Sequence, residues 1–263
     1  MSHKLGQVFL KDQNVLHRIL KASQITSDDH VVEIGCGEGF LSLLLAQNSH
    51  RFSIFEIDPH FLEMTQQRLS EYPHVQFHLG DVLSQSFLDV ESPTFKVVAN
   101  IPYYISAPII KQLITHRNRI ESATLMVQDE FAQKLAAKPG SSLYTSLAVY
   151  SHFYAETSYL FKVSKTCFRP VPKVDSAVIS WTPRKTPLFE VNEALFFKLV
   201  RSLFWGRRKT ISRCLTDSPY VSLSPSFKQD PAFAPFAPLR GETLDISQFY
   251  AVYQAVLPYF IQT

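Results

Sequence analysis

Cysteine is scarce: Cys36, Cys167 and Cys214 are the only three in 263 residues, and their spacing is irregular. That argues against a disulfide framework or a thiolate zinc site and fits a reducing compartment. None of the three follows a proline, so a cysteine-nucleophile route of the kind used for carbon methylation of pyrimidines is not indicated. The nine histidines form no metal-ligand constellation, so no metal is expected. No apolar run is long enough to cross a bilayer, and Met1-Ser2-His3-Lys4-Leu5-Gly6-Gln7 lacks the apolar segment of a signal peptide. Internal repeats and long low-complexity runs are absent too. These absences predict a cytoplasmic protein without membrane contact, and nothing suggests an obligate dimer.

What is there is ordinary globular material, 46% hydrophobic and 19% charged, enough for one core and a smaller second domain. The net charge of +3 is uneven. Residues 183–263 hold ten Lys and Arg against six Asp and Glu, and the remainder holds 16 against 17. A basic tail points weakly to a polyanion such as nucleic acid.

The first 182 residues alternate apolar strand-like runs with helical periodicity, which predicts an α/β fold with a doubly wound, mostly parallel sheet. After a helical face at Val15, Leu16, Ile19 and Leu20 comes Val31-Val32-Glu33-Ile34-Gly35-Cys36-Gly37-Glu38-Gly39-Phe40, a strand, a Gly-rich turn and a helix start. Its spacing is G-x-G-x-G, not the dinucleotide G-x-G-x-x-G. A carboxylate at Glu33 suits a cationic group better than a pyrophosphate, which favours S-adenosyl-L-methionine. A tight structural turn is the other reading. Glu56 ends the next strand, where an acid accepts from ribose hydroxyls. Asp58 is the better helix-capping acid there. Asp81 ends a third strand, placed either for an adenine amino group or as an ordinary cap.

The fourth strand runs into Asn100-Ile101-Pro102-Tyr103. The Asn100 side-chain oxygen and the Ile101 carbonyl can accept both hydrogens of an exocyclic amine, and Tyr103 can stack on its ring. The same residues also suit a plain strand-to-loop turn. A fifth strand at 123–128, a helix at 129–138 and helical residues 142–153 follow. Residues 158–163 and 176–181 are expected to pair as a hairpin. Between them, Phe168-Arg169-Pro170-Val171-Pro172-Lys173-Val174-Asp175 is a proline-stiffened loop. Phe168 is placed either as the second face of a base sandwich or as a plug in the core. A linker at 182–187 separates a tail, 183–263, with helices at 192–205 and 246–259 and five prolines in 219–238. The tail's cluster Arg207-Arg208-Lys209, with Arg213 expected further along the same helix, suits phosphates beside flanking aromatics, or a solvated helix end.

Taken in order, Gly6-Gln7-Val8-Phe9-Leu10, the 33–39 turn, Glu56-Ile57-Asp58, Gly80-Asp81, Asn100-Ile101-Pro102-Tyr103, residues 168–178 and Arg207-Arg208-Lys209-Thr210 resemble the bacterial small-subunit ribosomal RNA adenine dimethyltransferase family over nearly the whole chain. The resemblance implies a Rossmann-like class I methyltransferase domain at 1–182 and a small helical RNA-binding domain at 183–263. It implies two methyl transfers from S-adenosyl-L-methionine to N6 of each of two adjacent adenines near the 3′ end of small-subunit rRNA, within a pre-30S particle, with a role in subunit biogenesis. Cofactor contacts would fall at Gln7, Val8, Leu10, Gly35, Glu56, Asp81 and Asn100. The reacting base would meet Asn100, Ile101, Tyr103 and Phe168, and RNA would meet Arg207, Arg208, Lys209 and Arg213. Two positions depart from the family pattern: Val8 replaces Asn or His, and Gln128-Asp129-Glu130 replaces Gln-Lys-Glu, a reversal of charge expected to alter an RNA-facing surface. Related large-subunit (23S) adenine methyltransferases of the antibiotic-resistance type share the Asn-Ile-Pro-Tyr motif. Ile101 leans toward them, and the 168–178 and 207–210 segments lean away. A non-enzymatic assembly or transcription factor on the same scaffold is the third reading, which the intact Gly-rich turn, Glu56, Asp81 and Asn100 oppose.

Overall fold

A computed structural model of the chain describes residues 8–85, 87 and 90–261. The elements in order are β1 (Phe9–Leu10), α1 (Gln13–Ser23), β2 (His30–Ile34), α2 (Phe40–Asn48), β3 (Arg51–Glu56), α3 (Pro59–Arg68), β4 (Val75–Leu79), α4 (Val82–Gln85), β5 (Phe95–Asn100), α5 (Ser106–Thr115), β6 (Ile120–Gln128), α6 (Asp129–Leu135), α7 (Ser146–Tyr154), β7 (Ala155–Val163), β8 (Phe168–Arg169), β9 (Ser176–Pro183), α8 (Glu193–Trp205), α9 (Ile211–Thr216) and α10 (Ile246–Val256).

The chain divides into two units, Met1–Ala132 with Ala155–Lys185, and Gln133–Tyr154 with Thr186–Thr263. A boundary drawn from sequence at 182/183 leaves residues 133–154 in the first unit. Aromatic packing explains why they join the second: Phe153 and Tyr154 at the end of α7 lie against Phe197 of α8, and Phe153 also meets Phe196.

In the first unit a seven-stranded sheet runs β4-β3-β2-β5-β6-β9-β7. Strands β2 to β6 are parallel, and β9 is antiparallel to both neighbours. The expected pairing of 158–163 with 176–181 is present at the sheet's edge as β7 and β9. β2 is buried throughout, as is most of β5, which is why both read as continuous apolar runs. Helix starts follow local chemistry. Asp12 accepts from the Asn14 and Val15 amides before α1, and Asp58 accepts from the His60 amide with Pro59 in the first turn of α3.

Residues 9 and 10 form β1, whose partner is β8, in the register Phe9↔Arg169 and Leu10↔Phe168. This short ribbon fixes Phe168. The ring is 0% exposed and sits in the core cluster with Leu10, Leu16, Met126 and Val178. Of the two placements read for Phe168, the ring takes the core one here and does not line the cavity that holds Asn100 and Tyr103.

The second unit is helical. Asn192 caps α8 through the Leu195 amide, and Asp245 and Gln248 form a reciprocal capping box on α10. Gly241 follows from close approach: a Cβ there would lie 2.5 Å from the Leu203 carbonyl oxygen.

Candidate functional site

Strand order reverses between β2 and β5, and ligands of open α/β sheets bind beyond the carboxyl ends of strands at such a point. A cavity of about 840 Å³ opens there. Val8, Leu10, Gly35, Glu56, Asp81, Asn100, Ile101 and Tyr103 all line it, so the structure brings together those sequence-predicted residues. Gln7 lies outside the described residues, and Phe168 is not among the lining. Sequence reasoning did not anticipate Tyr104, 60% exposed, or the wall formed by residues 171–174. Proline stiffening between 170 and 172 was the available signal for that wall.

The turn after β2 is shaped by glycine. Gly35, Gly37 and Gly39 all have positive φ. A Cβ on Gly37 would press within 3.0 Å of the Phe9 ring, which carries β1 across the turn, and Lys11 pairs with Glu38 beside it.

Glu56 is a buried carboxylate held by backbone. Its Oε1 accepts from the Ile57 amide (2.9 Å) and the Asp58 amide (3.0 Å), and its Oε2 accepts from the Gly37 amide (3.3 Å). Glu33 is different. Its Oε2 meets no donor among the described residues, and burial, joined by the charge of Glu56, pushes its carboxyl up to about 8. Asp81 is exposed, and its Oδ1 accepts from the Leu83 amide at the start of α4.

At the end of β5 the Ile101 amide donates to the Met126 carbonyl (2.9 Å). No described residue donates to the Ile101 carbonyl, although Ile101 is buried, and none pairs with the Asn100 carboxamide. Two acceptors therefore stand open side by side in the cavity wall. The Tyr103 ring is held by its hydroxyl, which shares a 2.8 Å hydrogen bond with the Ser176 hydroxyl. Burial pushes the Tyr103 phenol up, so it is uncharged at neutral pH.

The residues present fit S-adenosyl-L-methionine: Asp81 and Glu56 carry carboxylates suited to the hydroxyls and amine of a nucleoside, Glu33 has a buried oxygen without a donor among the described residues, and the glycines leave the strand ends open. Val8 lines the same cavity.

Asp129, one of the two departures from the family pattern, is mostly covered. Its side chain is 16% exposed and pairs with Lys162 and with the Tyr159 hydroxyl. The basic cluster of the second unit is also largely partnered. Arg207 donates to Glu242 and to the Ser142 carbonyl, while Lys209 and Arg213 share Asp217. Arg207, Arg208 and Lys209 lie in the turn between α8 and α9 and Arg213 on α9, not on one helix. Arg208 is exposed and has no ion pair among the described residues.

This sheet order, with the cavity at its reversal, defines a class I methyltransferase. The chain belongs to the ribosomal RNA adenine dimethylase family, whose model matches residues 1–221. It is 40% identical over 259 residues to the ribosomal RNA small subunit methyltransferase A of Listeria monocytogenes serotype 4a, covering 93% of this chain and 87% of that one. The same-named protein of Chlorobium phaeobacteroides is 38% identical over 256 residues, 97% of this chain and 93% of its own. Among solved structures, a dimethyladenosine transferase from Plasmodium falciparum superposes with a TM-score of 0.83 at 26% identity, covering 97% of this chain and all of that one. The 23S rRNA methyltransferase ErmE superposes at 0.75 with 27% identity, covering 94% and 99%. No helix among the described residues is long and apolar enough to cross a membrane, and the described residues hold no cluster suited to a metal ion.

Proposed function

We propose that this protein transfers methyl groups from S-adenosyl-L-methionine to N6 of two adjacent adenines near the 3′ end of small-subunit rRNA, two per adenine, as a monomer acting on a pre-30S particle in the cytoplasm. One observation carries the reading: the unpartnered Asn100 carboxamide beside the unpartnered Ile101 carbonyl, in a cavity shared with Glu56 and Asp81. The names of relatives at 38–40% identity favour the small subunit over the large.

The cofactor supplies an electrophilic methyl on a sulfonium that leaves readily. The protein's task is the amine, whose lone pair is delocalised into the purine ring. In the first transfer the Asn100 Oδ1 and the Ile101 carbonyl accept the two N6 hydrogens, favour a tetrahedral nitrogen and aim its lone pair; in the second, one of them accepts the single hydrogen that remains. Tyr103, its hydroxyl tied to Ser176, offers a ring of fixed orientation to the extruded base. The rate then derives from a near-attack geometry rather than from acid–base catalysis. The proton on the methylated nitrogen leaves to water. Gly35, Glu56 and Asp81 would hold the adenosine, with Val8 and Leu10 in the wall of the same cavity. In the second unit Arg208 is the cation best placed for RNA phosphate, with Arg207, Lys209 and Arg213 engaging phosphate only by exchanging their present partners.

The test is methyl transfer from labelled cofactor to small subunits lacking their adenine methyls and to naked large-subunit rRNA. Dimethyladenine on the small subunit alone is expected. Label on the large-subunit rRNA instead would move the protein to the resistance class, and cofactor binding without transfer to either would favour a binding role.

A further inference from the structure

The cavity wall at 171–174 has no secondary structure of its own, yet it lines the same cavity as Asn100 and Ile101. Its position depends on what holds its ends. At the exit end three strand termini meet, because Ser176 is in register with Gln128 at the end of β6 and with Val163 at the end of β7. The intervening residue, Asp175, is tied on every side. Its Oδ2 pairs with the Lys162 ammonium at 2.9 Å, its Oδ1 accepts from the Lys165 amide at 2.9 Å, and its carbonyl accepts from the Asp129 amide at 3.0 Å.

Lys162 is shared. The Asp129 carboxylate lies 3.9 Å from the same ammonium and accepts from the Tyr159 hydroxyl at 2.7 Å. Asp129 is mostly covered and Lys162 is 57% exposed, so the acid is the fixed partner and the lysine the mobile one. Lys162 thus bridges the two acids, and the Lys165 charge also acts on Asp175. Behind the wall the group borders a depression of about 310 Å³ lined by Asp129, Lys165 and Asp175, which shares Gln128, Lys173 and Val174 with the main cavity. One residue beyond Asp175, Ser176 holds the Tyr103 hydroxyl.

We infer that Asp129 is a positioning residue for methyl transfer: through Lys162 and Asp175 it sets the 171–174 wall and the start of β9, and so the space in which the target base is held against Tyr103. The inference rests on the proposed reading of the cavity as the base site. It assigns Asp129 no contact with substrate or cofactor.

The experiment is a double-mutant cycle on the full chain, with undermethylated small subunits as substrate. Transfer by the wild type is measured first, so failure of the base-site reading shows before any variant is compared. Asp129→Lys sets two cations against each other at positions 129 and 162 and is expected to lower kcat about tenfold, with cofactor Kd within about twofold, because displacement of a positioning group acts on attack geometry. Asp129→Lys combined with Lys162→Glu restores an opposite-charge pair between positions 129 and 162 and is expected to recover kcat to within about threefold of wild type, the coupling expected of contacting partners. Asp129→Asn keeps the Tyr159 hydrogen bond, is mild enough to fold, and is expected to fall between. Wild-type kcat in Asp129→Lys, a double variant no better than the single, or a loss appearing in cofactor Kd rather than kcat would each overturn the assignment.

Discussion

The two units treat their polar side chains in opposite ways. In the cavity of the first, Asn100, the Ile101 carbonyl and a Glu33 oxygen lack partners among the described residues. In the second, three of the four cations in the basic cluster are already paired with Glu242 or Asp217. Buried polar groups are almost always satisfied, so the buried Glu33 oxygen without a donor is a cost that a ligand can relieve. Paired surface cations contribute little and are available to phosphate only by exchange. Charge density in a sequence therefore says less about function than the absence of partners does.

The largest stability effect expected lies at Phe168. Truncating this buried ring to Ala is expected to destabilise the protein by about 3–5 kcal/mol, measured by denaturant unfolding. Phe168→Leu keeps a core side chain and is expected to hold turnover within about threefold, since volume-conserving swaps are tolerated. A collapse of turnover in Phe168→Leu with stability intact would return the ring to the base.

The pH dependence of the unliganded protein sharpens the contrast. Glu33 ionises near its ordinary value when unfolded but holds its proton to about 8 when folded. The folded state therefore binds more protons between those values, and stability falls as pH rises through that window. His30 acts with the opposite sign over an overlapping window. Burial, with the charges of Arg51 and Arg119, lowers its pKa to about 4, so stability falls as pH drops from about 6.5 toward 4 and offsets the Glu33 slope there. Thermal melts of Glu33→Gln are expected to lose the decline toward pH 8 and show the acid decline unopposed. An unchanged decline toward pH 8 would remove Glu33 as its source.

The smallest effect is expected in the second unit. Arg208→Ala should weaken binding of a small-subunit rRNA fragment a few-fold and reduce its salt slope by about one. Arg207→Ala, which removes an internal ion pair, should leave the slope unchanged. Equal losses of slope in both would mean that the Glu242 pair opens on RNA.

Much of the first unit was legible in sequence, because its parallel strands are buried on both faces and read as apolar runs ending in Glu56, Asp81 and Asn100. The Gly-rich turn was legible for a similar local reason. What escaped was non-local. β1 and β8 are two residues each and lie more than 150 positions apart, so no periodicity marks them, and only that pairing shows Phe168 to be core. The partners of Arg207 and Asp129 are likewise distant in the chain, and the 133–154 segment changes unit through rings that its own helix does not reveal. The outcome at Asp129 is instructive: a reversed charge, which sequence alone places on an RNA-facing surface, is accommodated by Lys162 across the ends of two strands.

The most direct test of the central claim is single-turnover methyl transfer by Asn100→Ala on undermethylated small subunits, with cofactor affinity measured by calorimetry on the same preparation. Loss of one preorganised group at the reacting atom predicts a fall of at least about 100-fold in rate, with cofactor Kd within a few-fold. Wild-type turnover in that variant would show that the open acceptor pair is not where the amine is held.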